Sequence, residues 1–336
     1  MLPIGDRPML EHIMAWLASQ ENLENQENLE NQENHASPQV NSPLIDQAIF
    51  SMGYQPDSII NAYPNNICAD LPFVCAVEPE PLGTAGALRY AASQCEVSRT
   101  FLAMNGDIFT QISCADLVDQ HRRSGAEATL ALTAVSDPSQ FGVVITGDDG
   151  RVKNFLEKPP KGEKLGNPPS SWINAGIYVM EPSVLARIPE GRPVSLEREI
   201  FPQLALENSL FAFQSEAVWL DVGTPESYRQ AQILSVSSNP ETSNPPEARI
   251  HPSATVATDS KVTGSMVMAN VRIDEGAVVE DSVLLPSSWV EAEAVVHSSI
   301  LGEGAVVKAG AVVEEVSVIA DNATVEAGSH LRAARH

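Results

Sequence analysis

The apolar positions change their period along the chain, and each period marks a different kind of structure. Up to residue 233, stretches with helical spacing alternate with short continuous apolar runs. Met9, Leu10, Ile13, Met14 and Leu17 make one helical face, with Asp6 as its cap and Pro8 in its first turn. The runs 48–54, 73–78, 100–107 and 128–135 read as strands. Helices are expected over 56–63, from about Ala85 onward, and over 114–124, with a hairpin around 147–150. Strands alternating with helices predict an α/β domain whose mostly parallel sheet is covered on both faces. Such sheets bind ligands beyond the carboxyl ends of their strands, so the residues just after the apolar runs come first for inspection.

Residues 234–248 lose both patterns and are rich in Ser, Pro and Asn, as a linker is. From 249 to 330 a third pattern takes over. Val271, Ala277, Val283, Trp289, Val295, Leu301, Val307, Val313, Ile319 and Val325 fall every six residues without a break. Ile250, Val256, Val262 and Met268 keep that step in a different register, and Ser299, Ala305, Ala311, Ser317 and Ala323 form a lane of small residues. A step of six matches neither helix nor flat sheet. It predicts a parallel β-helix of hexapeptide repeats, with every sixth side chain pointing inward and flat sides that pair between subunits.

One stretch interrupts the first region. ENLENQ is repeated at 21–34, with five Glu and only Leu23 and Leu29 as apolar groups. It cannot bury a face in a core, so 21–43 is expected to be an expansion within a surface loop. Lys plus Arg number 20 against 44 Asp plus Glu, a formal charge of −24 among 336 residues. That balance excludes nucleic acid and anionic membranes as main partners. No apolar run approaches the ~20 residues of a spanning helix, and the first residues lack the pattern of a signal peptide. Cys68, Cys75, Cys95 and Cys114 have neither paired spacing nor His companions. They read as reduced thiols of a cytoplasmic protein.

Candidate chemistry gathers at strand ends. Asp107 closes FLAMNGD, and Asp221 lies where VWLD runs into a Gly turn. Two such carboxylates suit one Mg²⁺, which takes few protein carboxylates and otherwise prefers phosphate and water oxygens, although Asp also commonly caps turns. In PLGTAGAL, Gly83, Thr84, Ala85 and Gly86 open a helix with small residues, so that a planar base or a phosphate can approach its N–H groups. Gly142, Glu157 and Lys158 of FGVV…FLEKP fit a phosphorylated polyol, and Asn174 interrupts the apolar strand WINAGIYVME. In the repeat region His251 and His297 could supply a general base, which leaves an acyltransferase as a minor alternative.

Taken in order, PIGDRPMLEHIM, PLGTAGAL, NGD, FGVV…FLEKP, NAGIYVME and WLDVGTPESY, followed by hexapeptide repeats, resemble the nucleoside-diphosphate-sugar pyrophosphorylases, nearest to the mannose-1-phosphate guanylyltransferase-like branch. The resemblance implies a Rossmann-like nucleotidyltransferase domain over 1–233, a linker at 234–248 and a left-handed parallel β-helix over 249–330. It implies that Asp107 and Asp221 bind Mg²⁺, that Glu80, Gly83, Thr84, Ala85 and Gly86 contact the base, that Gly142, Glu157 and Asn174 hold the sugar, and that Lys158 holds its phosphate. The implied substrates are a nucleoside triphosphate and a sugar 1-phosphate, GTP and mannose 1-phosphate first and glucose 1-phosphate as the alternative. Family members carry an apolar strand, a Gly-x-Gly-Thr-Arg loop and a Pro-Lys-Pro before the equivalent of Met1–Ile4. The sequence as written begins after that point, so the resemblance implies impaired turnover for it. A late start codon, a degraded copy or a non-catalytic sugar-nucleotide-binding subunit would each account for this.

Overall fold

The computed structural model describes residues 3–5, 7–20, 44–135, 137–157, 171–235 and 248–336. The cap Asp6, the repeat tract 21–43, Lys158 and most of the linker lie outside them. The chain divides into two compact units, Leu10–Trp219 and Leu2–Met9 with Leu220–His336.

In the first unit the predicted strands and helices form where the apolar runs lie, with shifted ends: the helix expected from Ala85 is Gly83–Gln94. The N-terminal helix Met9–Ala18 buries Ile13, Met14 and Leu17. At its end, Leu44 N–H donates to Gln20 O (3.1 Å), which ties together the two residues flanking the repeat tract. The largest sheet is ordered Val152–Glu157, Gly142–Thr146, Trp172–Met180, Ala128–Ala134, Leu210–Ser215, with Phe101–Met104 also pairing Trp172–Met180.

This sheet corrects one expectation. Only Leu210–Ser215 runs parallel to its neighbour Ala128–Ala134, whereas Trp172–Met180 is antiparallel to the strands on both sides. The apolar runs did not reveal this because a strand buried on both faces is continuously apolar in either sense. Tyr178 and Met180 enter one core cluster with Phe201 and Leu204, while Ile177 and Val179 enter another with Ile112 and Leu117. A smaller sheet places Ala48–Met52 parallel to Leu71–Val77.

The strand Trp172–Met180 is irregular at its centre. Asn174 pairs with Leu132 but Tyr178 with Leu130, so four steps on one strand face two on the other. Ahead of this bulge the other edge pairs with Val143 through Ile173, and behind it with Met104 through Ile177. Two neighbouring strands therefore part at the bulge, and bulges are a device for re-aiming side chains.

In the second unit the ribbon Pro3–Ile4/Arg7–Pro8 is held by the helix Pro225–Leu234. Gly5 N–H donates to the buried Gln232 Oε1 (2.7 Å), while Gln232 Nε2 and Tyr228 OH donate to Pro3 O. Beyond it, three five-stranded parallel sheets stack into a β-solenoid of about five turns.

The step along the solenoid is not uniformly six. Met266 pairs with Val283 and Val283 with Ile300, a turn of 17 residues, and only the last turn has 18 (Ile300 with Val318). The inward, buried lane runs Ile273, Val279, Leu284, Val290, Val296, Leu301, Val307, Val313, Ile319, Val325. It coincides with the predicted lane from Leu301 onward; ahead of Leu301 it lies one or two residues later, where Val271 and Ala277 of the predicted lane are nonetheless buried in the same core. Trp289 accordingly faces outward, with Arg272 stacked 4.6 Å from its ring centroid and its Nε1 donating to Asp274. Apolar doublets such as Val278-Val279, Val283-Leu284 and Val295-Val296 allowed a strict six-residue lane to slide across strands that alternate in and out.

Each short, five-residue step contains a buried serine. Ser282 N–H donates to Ser265 Oγ (3.0 Å), Ser299 N–H to Ser282 Oγ (3.1 Å), and each hydroxyl donates to a carbonyl two residues before it. The ladder supplies the acceptors that backbone pairing does not supply at this corner. Replacing Ser282 by Ala leaves the buried Ser299 N–H without that acceptor, an expected loss of about 1–3 kcal/mol. Thermal denaturation checks this, and an unchanged Tm refutes the ladder's role.

Among the described residues no helix is long and apolar enough to cross a membrane.

Candidate functional site

The bulge of Trp172–Met180 is where the sequence-predicted residues of the first unit meet. Gly142 pairs with Glu157 in the antiparallel ladder, and the next residue, Val143, pairs with Ile173. The three residues expected to hold a sugar, Gly142, Glu157 and Asn174, therefore belong to three adjacent strands around one point.

Asn105 N–H donates to Gly176 O (2.9 Å), so the NGD turn carrying Asp107 is pinned to the same bulge. Gly176 has φ +69°, and a Cβ there would come within 2.8 Å of the Asn105 side chain. The positive φ is what favours glycine here, since the Asn105 amide is the end of a side chain that can turn aside. Asp107 itself is exposed, in the turn that follows the half-buried strand Phe101–Met104. Trp219, two residues before Asp221, donates its Nε1 proton to Ala175 O (2.8 Å) and packs edge-on against Phe141. Asp221 belongs to the second unit, and its Oδ1 accepts the Gly223 N–H (2.9 Å), an Asx turn that orients the carboxylate.

The Gly83–Gly86 loop has a different local cause from the one expected. Ala85 N–H (2.9 Å) and Gly86 N–H (3.3 Å) both donate to Val194 O, and Val194 N–H donates to Leu82 O (2.8 Å). Those amides are occupied by the chain itself and do not point at a phosphate. The small residues are needed because residue 194 passes so close: a Cβ on Gly83 would lie 2.6 Å from Val194 O. Glu80 is exposed beside the loop, and Glu78 stabilises the turn by accepting Leu82 N–H.

Thr84 reaches the strand Trp172–Met180 through residues that the sequence reading did not single out. Its hydroxyl accepts Leu196 N–H (2.9 Å) and donates to Glu197 Oε2 (2.8 Å), an oxygen that also accepts from Ser195 Oγ (2.7 Å). Tyr178 OH donates to Glu197 Oε1 (3.4 Å) and accepts from Asn174 Nδ2 (2.8 Å), while Asn174 Oδ1 accepts Gly176 N–H (3.1 Å). Nothing in SLERE distinguishes Glu197 from a solvent-facing glutamate, because its partners are remote in sequence.

Behind the sheet, His121 bonds Thr129 and Glu181. Burial holds its imidazole below the ordinary histidine value against the raising effect of Glu181, so it is a neutral packing group. Burial likewise pushes the Cys114 thiol up to about 12, which makes it a poor nucleophile. In the solenoid, His251 Nδ1 is bonded to Ser253, while His297 stands exposed on a different sheet.

Among the described residues no three His, Cys, Asp or Glu groups cluster as a metal site. The exposed carboxylate of Asp107 is a hard oxygen donor of the kind that suits Mg²⁺, an ion that otherwise takes water and phosphate oxygens.

Comparison with known proteins agrees with this architecture. Residues 1–236 match the Nucleotidyl transferase family and residues 245–335 match the GMPPB C-terminal domain. The chain is 37% identical over 203 residues to the mannose-1-phosphate guanylyltransferase catalytic subunit beta of Drosophila pseudoobscura pseudoobscura, covering 60% of this chain and 49% of that one. It is 34% identical over 245 residues to the probable mannose-1-phosphate guanylyltransferase 1 of Oryza sativa subsp. japonica, covering 72% and 62%. The chain thus spans about half to three fifths of the length of these relatives. The mannose-1-phosphate guanylyltransferase of Mycobacterium tuberculosis matches at 30% over 299 residues, covering 87% and 75%. Among solved structures, HddC from Yersinia pseudotuberculosis superposes with a TM-score of 0.52 at 23% identity, covering 69% of this chain and 87% of that one. A putative glucose-1-phosphate thymidylyltransferase from Bacillus anthracis superposes at 0.53 and 20%, covering 71% and 86%. The fold is therefore the Rossmann-like nucleotidyltransferase fold, and the chain belongs to the nucleotidyl transferase family.

Proposed function

We propose that this chain transfers a nucleotidyl group from a nucleoside triphosphate to a sugar 1-phosphate, with GTP and mannose 1-phosphate as substrates. The observation that carries the reading is the convergence on one strand bulge of three separate segments: the Asn105 turn, the Gly142–Glu157 pair and, through Glu197, the Thr84 loop. The guanylyltransferase relatives support the choice of substrates.

In the reaction an oxygen of the sugar phosphate attacks the α-phosphorus, a new P–O bond forms, the bond to the β-phosphate bridging oxygen breaks, and pyrophosphate leaves with the electron pair. Such a step needs little covalent participation by the protein. Alignment and charge neutralisation lower its barrier. Asp107 and Asp221 would hold Mg²⁺, and the bound ion supplies Lewis-acid neutralisation of the phosphate oxygens. The segment from Glu80 to Gly86, including Gly83, Thr84 and Ala85, would contact the base. Gly142, Glu157 and Asn174 would position the sugar, and Lys158 its phosphate.

The test is pyrophosphate release by the purified chain with Mg²⁺ and each pairing of the common nucleoside triphosphates with mannose and glucose 1-phosphate. Release greatest with GTP and mannose 1-phosphate is the expected result. Release from no pairing, together with no thermal stabilisation by any nucleotide, refutes the reading.

A further inference from the structure

We propose that Glu197 is a positioning residue that fixes the nucleotide loop and the sugar-side amide at once, a role that rests on the nucleotidyl-transfer reading above. The argument is one of hydrogen-bond polarity. An ionised carboxylate only accepts, so both hydroxyls that meet Glu197 Oε2, those of Thr84 and Ser195, must point their protons at it. The Tyr178 phenol must do the same toward Oε1. With its single proton committed, the phenolic oxygen presents lone pairs to Asn174, and only the NH₂ end of that amide can answer it. Asn174 Oδ1 is thereby turned to Gly176 N–H at the bulge.

One carboxylate thus dictates which end of the Asn174 amide faces which neighbour, and it also holds the hydroxyl that caps the Gly83–Gly86 loop against Leu196 N–H. Tyr178 is 2% exposed and Leu196 3%, so the bonds they make are partly shielded from water and reversing them carries a penalty, whereas the Thr84–Glu197 bond is exposed. The two ligand-binding segments lie 90 residues apart in sequence (Thr84 and Asn174) and share this one acceptor.

Glu197→Gln keeps the shape but replaces one of the two acceptor oxygens by an NH₂ donor, so the branch facing that nitrogen, either Tyr178 or Thr84 with Ser195, loses its acceptor. Titrations of the full chain with GTP plus Mg²⁺ and, separately, with mannose 1-phosphate read out the effect. Glu197→Gln is expected to weaken the ligand on the branch that loses its acceptor about tenfold, the loss of roughly one well-placed hydrogen bond. Tyr178→Phe, which cuts only the branch to Asn174, should weaken mannose 1-phosphate about tenfold and leave GTP within about twofold. Thr84→Val should show the opposite pattern, with Thr84→Ser restoring GTP affinity.

A residue that served stability alone would lower Tm without this ligand-selective split. The proposal is overturned if Tyr178→Phe and Thr84→Val, both close in size to the original side chains, weaken the two ligands equally or not at all. If the unaltered chain binds neither ligand, the nucleotidyl-transfer reading fails and the proposal falls with it. Binding by the unaltered chain without the split defeats the proposal alone.

Discussion

Asp107→Asn is expected to reduce pyrophosphate release by about a hundredfold or more while the protein stays folded, because a metal ligand contributes several kcal/mol of charge stabilisation to such transfers. The substitution keeps size and shape and removes the negative charge that would hold the cation. The turn bearing Asp107 is secured by the backbone bond from Asn105 to Gly176, and the side chain is exposed, so the fold does not depend on burying this carboxylate. The expected stability change is accordingly within about 0.5 kcal/mol. Measuring rate against Mg²⁺ concentration separates the causes. If Asp107 helps to hold the ion, the variant needs more Mg²⁺ for half-maximal rate. Asp221→Asn should behave alike on the same plot. A variant with an unchanged rate and unchanged Mg²⁺ dependence would remove Asp107 from the reaction.

Strand-end residues were legible in the sequence for a physical reason. A strand inside the sheet is a continuous apolar run, and the polar turn that follows it must lie at the edge of the core, as residues 105–107 do. The direction of the strands was not legible. WINAGIYVME is as apolar as a parallel strand, yet it runs against both neighbours because the segments joining it to them, and not its own pattern, decide its sense. The solenoid could be read from its repeat, whereas its true step could not. Doublets such as Val295-Val296 offer two candidates for each inward position, and only the pairing of Val283 with Ile300 shows that a turn closes in 17 residues. Glu197 was hidden for a third reason. Its significance lies in three hydroxyls, two of them from distant segments, and no local pattern of charge or spacing announces a shared acceptor.

The small residues at Gly83–Gly86 have a local cause in the close pass of residue 194, and Gly83→Ala tests that cause. Gly83 has φ +73°, a conformation that costs an L-residue roughly 1–2 kcal/mol. The added Cβ would also stand 2.6 Å from Val194 O, 3.1 Å from its carbonyl carbon and 3.2 Å from its nitrogen. These are backbone atoms, so no rotamer change relieves the overlap. Residue 194 cannot withdraw cheaply, because it is buried and its peptide groups bond Leu82 O, Ala85 N–H and Gly86 N–H. Strain and overlap together are expected to cost about 3 kcal/mol or more, read as a large fall in Tm. The variant should also lose stabilisation by GTP, since moving the loop breaks the Thr84–Glu197 bond. Gly53→Ala is the control: nothing lies within 4 Å of its would-be Cβ, and the change should stay within about 0.5 kcal/mol. If Gly83→Ala instead melted with the unaltered protein and lost GTP binding alone, the glycine would be there for the ligand. The close pass of residue 194 would then be its consequence rather than its cause.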